Sequence, residues 1–292
     1  MKSKHALVYF LSLLLLTASC GKKEKTSDMN IVFLHHSTGL AIWNGQSSSR
    51  LAKVIRRKSD RLANMLGAKA QLPELFEKFN KANNKSYRIV EKAFPDEPYA
   101  WVNYPYDYYK IWVKNANDNA YMEQPTLEML TRKYQVIIFK HCFPVCNIQP
   151  DQDSADIDSD VKTLSNYKLQ YRALRDKLHE FPHTKFILFT GAAQVKSVID
   201  EVEAQRAKEF FDWVRNEWDN QGDNIYLWDF YKLETEGGLY LKDEYAVSAF
   251  DSHPNDNFSG KVVKLLFNRI IDVIENNGKG TSLTGEQVLA EN

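Results

Sequence analysis

The chain has 292 residues, 43% hydrophobic and 26% charged, enough for one large domain or two small ones and for a sizeable core. Its 38 basic residues balance 38 acidic ones, so no net field recruits nucleic acid. Three cysteines exclude a disulfide-dense scaffold, and 12 glycines argue against a glycine-rich propeller or a collagen-like array.

The chain opens on Lys2 and Lys4, then an apolar run from Ala6 to Leu16 broken only by Ser12, then L-T-A-S-C ending at Cys20. A charged start, a short apolar stretch and small residues before a cut describe a secretory signal over residues 1–19. A Cys directly after the small residues resembles a bacterial lipobox. That resemblance implies cleavage before Cys20, fatty acylation of Cys20, and an exported protein held to the cell envelope by its lipid. Residues 20–29 then read as a tether from the anchor. No second apolar run reaches the length of a membrane span.

Five short apolar runs follow: Ile31–His35, Tyr87–Val90, Val136–Lys140, Phe186–Thr190 and Ile225–Asp229. They are nearly continuous in apolar residues, as strands covered on both faces are. Between them Leu164, Tyr167, Tyr171, Leu174, Leu178 and Phe181 recur at helical steps until Pro182, and Ala207, Phe210, Phe211, Val214 and Trp218 repeat the pattern. A last helix carries Val263, Leu266, Phe267, Ile270 and Ile274, with Ser259 as its expected N-cap. The alternation predicts a three-layer α/β/α sandwich on a mainly parallel five-stranded sheet, filling residues 30–277. The segment 278–292 reads as a loose tail.

In an open parallel sheet, chemistry gathers at the carboxyl ends of the strands. The first run delivers His35, His36, Ser37, Thr38 and Gly39, the third delivers Lys140, His141, Cys142 and then Asn147, and D-S-H-P-N (Asp251 to Asn255) stands before the last helix. This order resembles the SGNH (GDSL-like) hydrolases, which place a nucleophilic Ser after the first strand and an Asp and His before the last helix. The resemblance implies Ser37 as nucleophile, His253 as base and Asp251 as its partner, with no cofactor. The match departs from the family in four places: G-D-S is H-S-T-G here, no glycine occurs between Gly67 and Gly191, H-C-F-P-V-C-N stands where the family has G-x-N-D, and Asp251 precedes His253 by two residues rather than three.

The chemistry stands without the family. A Ser hydroxyl needs an imidazole to take its proton, and the imidazole needs a carboxylate on its other nitrogen. In extended backbone residues i and i+2 face one side, so Asp251 and His253 can point together, with Asp229 as the alternative orienter. The amides of Thr38 and Gly39, with the Asn147 side chain, are the candidate oxyanion donors. His35 and His36 cannot both face the site if that stretch is extended, so one of them reads as a packed imidazole.

Four further features weigh in. In an exporting compartment Cys142 and Cys146 read as a disulfide or free thiols rather than a zinc site. The segment with Trp101, Tyr104, Tyr106, Tyr108, Tyr109 and Trp112 either packs onto the sheet, the favoured reading, or stacks on sugar rings. The acidic run Asp151–Asp160 lacks the glycine and glutamate of a calcium loop and reads as a solvated loop feeding a helix N-terminus. The functional expectation is a serine esterase acting on a small-molecule or glycan ester. The competing classes are a non-catalytic saccharide-binding envelope lipoprotein and a metal hydrolase built on His35, His36, His141 and His253.

Overall fold

A computed structural model describes residues 28–46 and 69–288. The expected signal peptide, Cys20 and nearly all of the 20–29 tether lie outside the described residues. The chain runs β1 (Asp28–His35), α1 (Ser37–Asn44), α2 (Gln71–Asn83), β2 (Ser86–Ala93), α3 (Pro105–Tyr108), α4 (Leu127–Thr131) and β3 (Val136–Lys140). It continues with α5 (Leu164–His179), β4 (Lys185–Phe189), α6 (Glu201–Trp213), β5 (Ile225–Trp228), α7 (Phe230–Thr235), β6 (Ala246–Ser248), β7 (Asp251–Pro254) and α8 (Asp256–Asn276).

β1 to β5 form one all-parallel sheet in the order β2-β1-β3-β4-β5. Side chains alternate across a strand, so each inner strand feeds two cores. Ile31 and Phe33 of β1 with Val136 and Ile138 of β3 face α1, α2 and α8. Val32 and Leu34 with Ile137 and Phe139 face α3 to α6. All eight are fully buried, which is why these runs read as unbroken apolar sequence. The molecule is a three-layer α/β/α sandwich.

The helices are held by the stripes the periodicity indicated. Along α5, Leu164, Tyr167, Tyr171, Leu174 and Leu178 are buried, each contributing about 1.5–3 kcal/mol of transfer free energy. The Thr163 side chain accepts from the Asn166 amide and caps that helix, while Asp151 accepts from the amide and hydroxyl of Ser165 at 2.9 and 2.8 Å. The acidic run thus serves the helix start.

Two expectations need correction. The last helix begins at Asp256, not near Ser259: Asn255 is its N-cap, accepting from the Phe258 amide at 2.9 Å. Ser259 lies inside the helix, its hydroxyl 3.5 Å from the Pro254 carbonyl. The segment from Gly278 to Val288 is not a loose tail. Asp272 accepts from the amides of Gly280 and Thr281 at 2.8 Å each, and the Leu283 and Thr284 carbonyls accept from the Asp229 amide at 2.8 Å and the Trp228 indole at 3.0 Å. The segment follows α8 back to β5 because buried donors there need acceptors.

After β1 the chain adds β2 on one side and β3 on the other. The topological switch point therefore lies at the carboxyl ends of β1 and β3, where open α/β sheets form crevices.

Candidate active site

β1 ends at His35, His36 makes the turn, and Ser37 is the exposed first residue of α1. The turn is tight because Gly39 lies against the strand end: a Cβ at Gly39 would fall 2.4 Å from the His35 Cβ and 2.5 Å from its Cγ. Only glycine lets α1 come this close to β1. His35 is packed beneath, its Nδ1 2.9 Å from the His36 carbonyl and its Nε2 2.8 Å from the Glu91 carboxylate. Of the adjacent histidines, His35 is thus the packed one.

The opposite half comes from the β6–β7 hairpin, an antiparallel pair outside the main sheet. Alternation along β7 buries Ser252 and leaves Asp251 and His253 half-exposed on one face. Ser252 anchors the strand, its hydroxyl accepting from the Val195 amide at 3.1 Å. Asn255 ties the hairpin to α8, its amide donating to the Glu244 and Ala246 carbonyls at 2.8 and 3.1 Å.

The two halves meet. His253 Nε2 lies 2.8 Å from Ser37 Oγ, and His253 Nδ1 lies 2.6 Å from Asp251 Oδ1. Residues 216 apart in sequence are in hydrogen-bond contact. Asp251 Oδ1 also accepts the backbone N–H of His253 at 3.0 Å, so one oxygen fixes both the ring and its backbone. Partial burial pushes the Asp251 carboxyl upward, but the hydrogen bonds and charge of His253 outweigh it and hold it below the usual carboxylate range. An ionised, acceptor-only carboxylate at Nδ1 places the imidazole proton there and turns the Nε2 lone pair toward the Ser37 hydroxyl. Phe143, just past β3, packs edge-on against the His253 ring at 5.2 Å.

Comparison with known proteins finds no family model that matches this chain and no matching curated protein. A solved structure of a carbohydrate esterase, whose active site is described as displaying divergent catalytic and non-catalytic binding functions, is similar over 83% of this chain and 68% of its own, at 13% identity and a TM-score of 0.38.

Thr38 and Gly39 are the second and third residues of α1, so their amides belong to the first turn, where no intrahelical acceptor exists. They directly follow Ser37 in the chain. Asn147 differs from expectation. It closes the short helical turn Phe143–Cys146, donates its amide to Glu203 at 3.3 Å and accepts from Gln194 at 3.0 Å. Its donor is directed at α6, not at Ser37. Asp229 also lies elsewhere: buried at the start of α7, it accepts from Thr190 Oγ1 at 3.0 Å and the Lys232 amide at 3.3 Å and pairs with Arg215 at 3.3 Å. Asp251, not Asp229, holds His253.

The four histidines proposed for a metal point to four different partners. His35 faces Glu91, His36 the Pro95 carbonyl, His253 Ser37, and His141 the Tyr171 hydroxyl at 2.6 Å. Cys142 and Cys146 are free thiols and both buried. Cys146 Sγ donates to the Ala192 carbonyl at 3.1 Å, while Cys142 Sγ accepts from Lys140 Nζ at 3.5 Å. Most of the aromatic segment packs, as favoured: Tyr104, Tyr108, Tyr109 and Trp112 are buried and Tyr106 is half-buried. Trp101 is the exception, 36% exposed and stacked on His36.

Sequence reasoning missed the loop after β4 that braces the site. Glu234, buried, accepts the Ala193 amide, Gln194 donates to the Phe143 carbonyl at 3.2 Å, and Val195 donates to Ser252. The residues carry no motif. Only the alternation of β7, which puts Ser252 inward, points to this loop from sequence.

Proposed function

We propose that this chain is a serine esterase of SGNH-like type, with Ser37 as nucleophile, His253 as general base and acid, and Asp251 as the carboxylate that orients His253. The observation that carries the reading is the continuous line from Ser37 Oγ through the His253 ring to Asp251, with contacts of 2.8 and 2.6 Å. Ser37 Oγ attacks the ester carbonyl carbon as its proton passes to His253 Nε2. The tetrahedral oxyanion is held by the amides of Thr38 and Gly39 at the α1 N-terminus, where the helix dipole adds to their effect. Collapse expels the alcohol, which takes the proton from Nε2 and leaves an acyl-Ser37. Water, deprotonated by the same imidazole, then attacks that acyl carbon; the Ser37 Oγ–acyl bond breaks, the carboxylic acid leaves, and the proton on Nε2 returns to Ser37 Oγ.

A fluorophosphonate probe tests the reading directly. Mass spectrometry should find the adduct on Ser37, and both Ser37→Ala and His253→Ala should lose turnover of an activated short-chain ester. Full activity in Ser37→Ala sinks the serine mechanism. A second reading, a non-catalytic saccharide-binding protein, is favoured by one observation: Asn147 donates to Glu203 and leaves the oxyanion to backbone amides. That reading expects sugar retention with no probe adduct.

The charged start, the Ala6–Leu16 run and the small residues before Cys20 support an exported envelope lipoprotein acylated at Cys20. Cys20→Ala should leave the protein unprocessed or released in soluble form. Unchanged mass and detergent partitioning of that variant would reject the anchor.

A further inference from the structure

We infer that Trp101 is the specificity-determining platform of this site and that it takes a pyranose ring, so that the ester presented to Ser37 is carried on a saccharide. Trp101 stacks face to face on His36, with ring centroids 3.7 Å apart and planes 16° from parallel. His36 is the residue immediately before Ser37, and its other side is fixed by a hydrogen bond from Nε2 to the Pro95 carbonyl. Burial lowers the His36 ring to about 4, with the nearby Lys140 charge acting in the same direction and the Pro95 bond against it. The imidazole under the indole is therefore neutral at neutral pH.

The backbone that carries Trp101 is equally fixed. Asp107, buried, accepts the amides of Val102, Asn103 and Tyr104 at 3.0, 2.6 and 3.4 Å and the Tyr99 hydroxyl at 3.0 Å. Asn103 sits at φ 64 and spans two strand ends, donating to the Phe94 carbonyl at 2.9 Å and accepting the Cys142 amide at 2.6 Å. Here Trp101 is 36% exposed with one face stacked on His36, the residue before Ser37.

The chemistry of the ligand follows from that shape. A flat apolar face open to water suits a molecule with one flat face of C–H groups and polar edges that stay hydrated. A pyranose ring has that form. A free acyl chain does not, since it needs enclosure to be removed from water. The reaction on the bound sugar rests on the esterase reading above; the binding does not.

The test uses the full-length protein, O-acetylated oligosaccharides of the xylo, manno, cello and N-acetylglucosamine series, and ethyl acetate as a ringless ester. On the best sugar ester, Trp101→Ala should raise KM about tenfold with kcat within twofold, the loss expected for one aromatic stacking contact. Its kcat/KM on ethyl acetate should stay within twofold, and Trp101→Phe should recover most of the KM. An equal fall on both substrates makes Trp101 merely structural and overturns the inference, as does wild-type enzyme that prefers ethyl acetate to every sugar ester. If no ester is hydrolysed at all, the esterase reading has failed, and calorimetric titration of the deacetylated oligosaccharides decides the platform. Binding by wild type weakened about tenfold in Trp101→Ala supports it, and no binding by wild type overturns it.

Discussion

At the scale of residues, one carboxylate, Asp251, contacts His253 in the proposed site. Asp229 is committed to Thr190, Arg215 and the α7 cap, so it cannot replace Asp251 at His253 Nδ1. Asp251→Asn removes the acceptor that keeps the proton on Nδ1 and offers a donor in its place. We expect kcat on an activated ester to fall by at least roughly 100-fold, as in serine triads with the wrong tautomer, with KM little changed. A loss under fivefold would mean that Asp251 is dispensable. The two thiols give a separate check. Cys142 and Cys146 are buried and free, and burial pushes the Cys146 thiol up. Iodoacetamide should therefore label neither in the native protein and both after denaturation without reductant. Labelling that needs reductant would establish the disulfide instead.

At the scale of elements, the site is a contact between a strand–helix turn and a hairpin, and each is fixed from below. The α1 turn depends on Gly39 lying against His35, where a Cβ would sit 2.4 Å from the His35 Cβ. Because that atom is rooted on the β1 backbone, Gly39→Ala must push α1 away from the sheet and carry Ser37 with it. Overpacking of this kind costs about 1–3 kcal/mol of stability, and a displacement near 1 Å can cost on the order of 100-fold in rate. Gly260→Ala, whose Cβ would meet Gln46 at 2.5 Å on the far side of α1, is the control. Matched stability losses should accompany a kcat drop of at least about tenfold in Gly39→Ala only. Equal kcat in the two variants would show that the turn has slack. The hairpin is held in turn by the loop after β4, through Val195 on Ser252 and Glu234 on Ala193.

At the scale of the whole molecule, buried ionisable groups of opposite sign set the pH dependence of stability. Burial lowers His36 to about 4 and His141 well below 6.5, so unfolding takes up protons below 6.5 and these groups weaken the fold as pH falls toward 4. Asp219 acts the other way. Burial first, then the Asp223 charge, raises its carboxyl from 3.8 to about 6, against the pull of Arg269. Above 6 the fold bears an ionised, half-buried Asp219, and that cost disappears as pH drops through 6 toward 3.8. Asp219→Asn should therefore raise the urea midpoint at pH 8, and the gain should shrink between pH 6 and pH 4. A gain that does not change with pH would assign the effect to packing.

The sequence alone determined the layers and the chemistry on offer. Apolar runs that face two cores have nowhere to sit but between helices, so the five strands and the parallel sheet were legible in Ile31–His35, Val136–Lys140 and their companions. Ser37 could be placed at the rim because it follows the first strand, where an open sheet collects reactive groups, whereas Asp251 and His253 were singled out by the resemblance to a family that keeps such a pair before its last helix. What only the tertiary structure decided was partnership. Asp251 and Asp229 are both acids near strand ends, and nothing local says which one meets His253; the hairpin and the α7 cap decide it. Asn147 lies at the right place in the order of residues, yet the turn Phe143–Cys146 points it at Glu203. The residues after 277 look loose because they lack apolar periodicity, but they are fixed by the buried donors of β5 and by Asp272. Periodicity records which faces avoid water. Which polar group satisfies which other is set by distances that exist only once the chain has folded.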